Sequence, residues 1–355
     1  RPVEPSGRRR ERTPRVCHTA SPGGAPARGF RRAASGFFTQ AGLDSRRRAT
    51  TLGLMAKLTG LRLERAQASP RYRDGGFHNT HGVRPVLDGD RWSIMGEFFF
   101  GGRARRPRTP LPIERPHEPW TRPVSSDGLR VTWLGHSTML LELDGARVLT
   151  DPVFGERASP VGFAGPRRFH PVPATIAELP PLDAVLLSHD HFDHLCKASV
   201  RELAARRVPF VTSLGVGAHL EAYGVEPGLI TELDWWESTT VRDVAFTATP
   251  AQHFSGRSLT GRNRTLWSSW VIATARRRLF FSGDTGLTDE FREIGARLGP
   301  FDLTMLEIGA WHPAWGGVHL GPTNALAAFA MLGGGTLLPV HWGTFDLGLH
   351  PWAEP

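Results

Sequence analysis

The run Leu187-Ser188-His189-Asp190-His191-Phe192-Asp193-His194 constrains this chain more than any other stretch. It reads HxHxDH and is entered from the apolar residues Ala184 to Leu187. A helix would scatter these side chains around its circumference, whereas a tight loop at the exit of a strand can aim them at two adjacent metal ions. Neutral imidazoles and carboxylates suit zinc or a similar first-row divalent metal. No Cys pair lies nearby, so the pattern is that of an open site with room for water. Two ions about 3.5–4 Å apart can hold one hydroxide between them, lower its pKa towards neutrality and clamp the attacking and leaving oxygens. The competing account, surface histidines on a polar loop, leaves the matched spacing after a strand unexplained.

Further candidates occur where later apolar runs meet turns. His253 follows the strand-like Val244 to Thr247, Asp284 ends Leu279-Phe280-Phe281-Ser282-Gly283, and His341 ends Thr336-Leu337-Leu338-Pro339-Val340.

These residues carry a resemblance. With Trp133-Leu134-Gly135-His136-Ser137-Thr138, Asp151-Pro152-Val153-Phe154, Gly165-Pro166-Arg167-Arg168-Phe169, Glu232-Leu233-Asp234-Trp235-Trp236-Glu237, Gly283-Asp284-Thr285-Gly286 and His341-Trp342-Gly343-Thr344-Phe345, the chain resembles the metallo-β-lactamase superfamily. Within it, residues 69 to 350 are similar to the N-acylphosphatidylethanolamine-hydrolysing phospholipase D branch. The resemblance implies two Zn2+ ions, one on His189, His191 and His253, the other on Asp193, His194 and His341, with Asp284 bridging. It also places His319, in Gly317-Val318-His319-Leu320, close to the reacting phosphate as a non-ligand catalytic group. Asp190 is a further catalytic candidate, as an orienting or proton-shuttling group; its simpler role is a hydrogen-bond acceptor for a ligand histidine.

Charge supports phosphodiester chemistry from a second direction. Two divalent ions, the carboxylates of Asp193 and Asp284 and one hydroxide leave a core of formal charge about +1 if Asp190 is turned away. A phosphodiester monoanion complements it, and so does the oxyanion formed at a lactone or ester. The net charge of the whole chain is +9, but the first 54 residues hold 12 Arg against Glu4, Glu11 and Asp44. The remainder is neutral, so no nucleic-acid partner is expected.

That Arg/Pro/Gly-rich stretch, 1 to 54, reads as a disordered extension or a mis-assigned start, with Met55 as the alternative beginning, and as dispensable. Ser45-Arg46-Arg47-Arg48 followed by Leu52-Gly53-Leu54 faintly resembles a twin-arginine export signal, interrupted by Lys57. No run reaches the ~18 apolar residues of a spanning helix, so a cytoplasmic protein is expected, with peripheral membrane contact as an option. Cys17 and Cys196 give no disulfide framework.

Residues 127 to 355 read as an α/β hydrolase domain. Strand-like stretches are Leu129 to Leu134, Met139 to Leu143, Arg147 to Leu149, Ala184 to Leu187, Val208 to Thr212, Val244 to Thr247, Trp270 to Ala273, Arg278 to Phe281, Leu303 to Ile308 and Leu337 to Val340. Helical patterns cover Lys197 to Arg206, Val216 to Tyr223, Thr288 to Arg297 and Pro322 to Leu332, the last bounded by Pro322 and Gly333-Gly334-Gly335. Two mixed sheets face to face with helices outside fit this order, the αβ/βα four-layer sandwich of the metallo-β-lactamase fold. The chain stops 14 positions after His341, where relatives usually continue, which suggests a truncated C-terminus.

Residues 55 to 126 read as a loop-rich segment packing on the core. Its Trp92, Phe98, Phe99, Phe100 and Trp120, with Arg103, Arg105, Arg106 and Arg108, either line an acyl groove at a membrane or cover the core with arginines facing water; the second is preferred. His136 is expected to make a structural hydrogen bond at a strand turn, and Trp235 and Trp236 to pack. Trp311 and Trp315, flanking His312 near His319, suggest a pocket wall. Arg262, Asn263 and Arg264 can reach a substrate phosphate or form a solvated hairpin turn. Cys196 stands where relatives often have an acid and can add a soft metal contact.

Three functions fit. The first is a dizinc phosphodiesterase of the phospholipase D type, releasing N-acylethanolamine and phosphatidic acid from a phospholipid substrate. The second is a lactonase or other soluble-substrate hydrolase similar to the ascorbate-phosphate lactonases. The third, a metal-stabilised binding protein without catalysis, has no need of every ligand of an open two-metal site.

Overall fold

The computed structural model describes residues 57–83, 104–115, 120–124, 128–257, 261–315 and 317–355, with Gly96 and Gly102. The 1 to 54 extension, Met55, Cys17, Trp92, Phe98 to Phe100 and Arg103 lie outside the described residues.

One six-stranded sheet runs in the order β3 (Leu129–Gly135), β4 (Thr138–Leu143), β5 (Ala146–Thr150), β6 (Ala184–Leu187), β7 (Phe210–Ser213), β8 (Ile230–Leu233). The other runs β14 (Leu337–Val340), β13 (Leu303–Glu307), β12 (Arg278–Phe281), β11 (Ser269–Ala273), β10 (Val244–Thr249), β9 (Ser238–Val241). Each joins antiparallel hairpins to a parallel half, the parallel steps being β5 to β8 and β12 to β14.

The period of two along each strand assigns the layers. Met139, Leu141 and Leu143 of β4 meet Phe246, Trp270, Ile272 and Phe281 of the opposite sheet in a buried core. Leu140, Val185 and Leu187 point the other way, onto Val200 and Leu203 of α2 (Lys197–Ala205) and Leu220 of α3 (Gly217–Ala222). On the far side, Phe280 and Leu306 pack against Phe291 and Ile294 of α4 (Glu290–Leu298) and Ala325 and Ala328 of α5 (Gly321–Met331). The result is the mixed-sheet, four-layer arrangement that the strand and helix order implies. Strands with apolar residues on both faces are buried on both, which is why they read as continuous apolar runs.

The segment before β3 is less loop-like than its sequence suggests. It contains helix α1 (Gly60–Ala68) and a hairpin of β1 (Tyr72–Arg73) and β2 (Gly76–Phe77). Ala66 and Phe77 are buried with Trp235, Leu266 and Trp267. Its arginines meet carboxylates as well as water: Arg62 pairs with Glu232 and, at 2.9 Å, with Glu221, and Arg106 pairs with Asp346 at 2.9 Å. Trp120 is buried against the core and donates from Nε1 to Thr132 Oγ1 at 3.2 Å. No helix of the described residues is long and apolar enough to cross a membrane.

Candidate metal centre

Every candidate ligand sits where a strand leaves its sheet. His189 to His194 follow β6, His253 follows β10, Asp284 follows β12 and His341 follows β14. The parallel strands β6, β12 and β14 and the antiparallel strand β10 all end at one edge of the sandwich, and their exit turns deliver these groups there.

Their donor atoms form three groups, each within 4.8 Å: His189, His191, His253 and Asp284; His136, Asp193, His194 and His341; and Asp284, Glu307, His319 and His341. Asp284 joins the first set to the others through its two oxygens. Oδ1 lies 3.1 Å from Nε2 of both His194 and His341. Oδ2 lies 3.8 Å from His189 Nε2 and 3.7 Å from His253 Nε2.

The outward nitrogens fix which inward atoms carry lone pairs. His253 Nδ1 donates to the Val318 carbonyl at 2.8 Å, and His194 Nδ1 donates to Asp151 Oδ2 at 2.7 Å. Each therefore presents Nε2 inward as an acceptor. His194 Nε2 is 3.1 Å from His341 Nε2, and His253 Nε2 is 3.2 Å from His191 Nδ1. Converging lone pairs at these distances, in a site where His189 and His194 are wholly buried, fit a cation between them.

The electrostatics agree. Burial opposes ionisation of Asp284, yet His194 and His341 outweigh it and hold the carboxyl well below its usual range. Burial likewise opposes the imidazolium of His341, but Asp284 and Asp193 raise it to about 10. The carboxylates thus demand positive charge at this point, which bound divalent ions would supply in place of protons. Zinc-type donors are present on both sides of Asp284, and the residues fit a two-metal centre.

Several residues beyond the sequence-derived set hold the candidate ligands. Asp151, fully buried, accepts from Ser188 N at 2.7 Å and Ser188 Oγ at 2.6 Å as well as from His194. Asn79 donates to the His253 carbonyl at 2.8 Å and accepts from its N–H at 3.0 Å. Glu307 accepts from Thr285 N at 2.7 Å through one oxygen, and its other oxygen lies 2.7 Å from His319 Nδ1. Burial raises Glu307; burial also opposes the His319 imidazolium, but the Glu307 carboxylate, with Asp284 beyond it, raises His319 above its ordinary range and favours a ring protonated on both nitrogens.

Three further residues of the sequence reading are placed as follows. His136 does more than brace a turn: its Nε2 lies 3.0 Å from Asp193 Oδ2, inside the second group. Asp190 belongs to none of the groups; its Oδ1 accepts from Gly256 N at 2.8 Å, and Oδ2 lies 3.5 Å from His219 Nε2. Its contacts therefore brace the loop from behind. Cys196 is likewise absent from the groups and precedes α2. Trp235 packs as expected, donating to the Trp267 carbonyl at 2.8 Å, and the Trp315 ring lies 5.7 Å from His319.

Comparison with known proteins identifies the fold and family. A model of the β-lactamase superfamily domain covers residues 146–342. An uncharacterized protein of Mycobacterium tuberculosis is 47% identical over 296 residues, 82% of this chain and 78% of that one. An N-acyl-phosphatidylethanolamine-hydrolyzing phospholipase D of Caenorhabditis elegans is 38% identical over 236 residues, 63% of this chain and 66% of the relative. The solved structure of an isothiocyanate hydrolase from Delia radicum gut bacteria shares the fold, with a TM-score of 0.51 at 22% identity over 61% of this chain and 86% of that one. The chain belongs to the metallo-β-lactamase superfamily and is a metal-dependent hydrolase of that fold.

Proposed function

We propose that this hydrolase cleaves phospholipids of the N-acylphosphatidylethanolamine type by a phospholipase D reaction at a dizinc centre. His189, His191 and His253 would hold one ion and Asp193, His194 and His341 the other, with Asp284 available to both sets. The observation that carries the reading is the Asp284 carboxylate, whose two oxygens face the two histidine sets separately. Zinc ions held there supply Lewis acidity and a water of near-neutral pKa.

Support for a lipid comes from the similarity to the nematode phospholipase and from an apolar cleft. A space of about 700 Å³ is lined by Leu111, Ile113, Val131, Trp133 and Trp342, and reaches Gly135 beside His136. Acyl chains buried there would gain about 0.8 kcal/mol per methylene. A small soluble lactone would leave this surface unused.

The chain's own groups divide the work. Water oxygen joins phosphorus, the bond from phosphorus to the N-acylethanolamine oxygen breaks, and that oxygen takes a proton. Glu307 fixes the His319 ring, leaving Nε2 to deliver the proton, which the attacking water replaces. Asp151 and Asn79 keep His194 and His253 in orientation throughout.

The test is hydrolysis of N-acylphosphatidylethanolamine micelles by the zinc-loaded protein, with products identified by mass spectrometry. N-acylethanolamine and phosphatidic acid are expected, and neither from Asp284→Asn. A folded, zinc-loaded protein that leaves the phospholipid intact would refute the substrate assignment.

A further inference from the structure

Behind His253 lies a second cleft, of about 250 Å³, lined by Arg73, His78, Asn79, His81, Phe254 and Arg262 among others. Among the described residues its wall carries two guanidinium groups and no carboxylate. The Arg262 guanidinium lies 4.3 Å over the Phe254 ring, and that ring packs 4.7 Å from His191. Arg262 is therefore one aromatic ring away from a candidate ligand.

Three other arginines, by contrast, are engaged. Arg62 pairs with Glu221 and Glu232, Arg65 pairs with Glu237, and Arg257 donates to the carbonyls of Asp190 and Leu195. Arg262 has no such partner among the described residues; it is exposed to solvent along the mouth of the cleft, and partial desolvation lowers its pKa with no counter-charge to offset it. Stacking on Phe254 orients the plane of the guanidinium while leaving its N–H edge open. That edge matches the two oxygens of a carboxylate or phosphate.

We propose that this cleft receives a second anionic group of the substrate, a carboxylate or phosphate, held by Arg262 while the scissile bond lies at the metal centre. The inference rests on the hydrolase reading and refines it to substrates that carry a negative charge beyond the reacting one.

The test compares N-glutaryl- and N-pentanoyl-phosphatidylethanolamine in identical micelles, substrates of equal amide chain length that differ in a terminal carboxylate. The zinc-loaded protein is expected to prefer the N-glutaryl substrate about tenfold in kcat/KM, the scale of one charge-assisted pair. Arg262→Gln should bring the ratio to about one, while Arg264→Gln, which removes the same charge outside the cleft, should keep it. No preference in the wild type, or a preference that survives Arg262→Gln, overturns the proposal. Titration calorimetry with glutarate separates this from the phospholipase reading. If neither lipid is turned over, glutarate binding weakened about tenfold by Arg262→Gln still supports the site, and equal binding by both proteins overturns it.

Discussion

His319, partly buried, and Glu307, fully buried, form a pair with Nδ1 and Oε2 2.7 Å apart, at the border of the Asp284 cluster. The pairing fixes the imidazole ring without making it a member of the two principal donor sets. His319→Ala is expected to keep the zinc content and lower kcat by about a hundredfold, the usual scale of a positioned proton donor. Steady-state kinetics alongside metal analysis checks it; an unchanged kcat removes His319 from the reaction.

Asp151 and His194 make the corresponding contact on the other side of the site. Asp151→Asn preserves size but loses the charged acceptor that sets the His194 tautomer, and should weaken zinc binding about 10- to 100-fold. Chelator competition measures this; wild-type affinity in the variant would show that Asp151 serves the Ser188 turn alone.

The inter-sheet core gives a stability expectation. Leu141 is fully buried between the sheets, so Leu141→Ala should cost about 2–5 kcal/mol through lost transfer energy and a residual cavity. Urea unfolding monitored by tryptophan fluorescence gives the value, and a loss below about 1 kcal/mol would mean that the two sheets close over the gap.

Acid should act through His136. Burial, followed by the neighbouring His341, lowers its pKa to about 3. The unfolded imidazole binds a proton near its ordinary pKa of about 6.5, so between these values the unfolded state holds more protons and stability falls as the pH drops. The slope from this one group approaches about 1.4 kcal/mol per pH unit within that window. His136→Asn, which tolerates the positive φ of 55° here, should show a shallower loss between pH 6 and 4 on metal-free protein. Parallel curves for the two proteins would contradict this.

Much of this centre is readable before folding is considered, for a physical reason. Strands buried on both faces appear as apolar runs, and polar residues at their exits are confined to one edge; Ala184–Leu187 and Arg278–Phe281 begin and end where their sequences suggest. Strands β8 and β9 are missed because Ile230–Leu233 and Ser238–Val241 mix polar and apolar residues and are only partly buried. Helix α1 escapes notice because Ala66 alone is buried and Leu61 faces solvent.

The supporting residues divide in the same way. Glu307 does leave a signal, a lone acid closing the buried strand Leu303-Thr304-Met305-Leu306, where a carboxylate must have a partner. Asn79 leaves none, since its bonds to His253 span 174 positions and depend wholly on the tertiary fold. Asp190 stands among the ligands in sequence but faces His219, because consecutive loop residues point in different directions.

The most direct test of the central claim is the zinc content of the wild type and Asp284→Asn after dialysis, by inductively coupled plasma mass spectrometry. The divided Asp284 carboxylate predicts two ions per chain in the wild type and loss of zinc with activity in the variant. A single ion in a fully active wild type, or two ions and full turnover retained by Asp284→Asn, would contradict it.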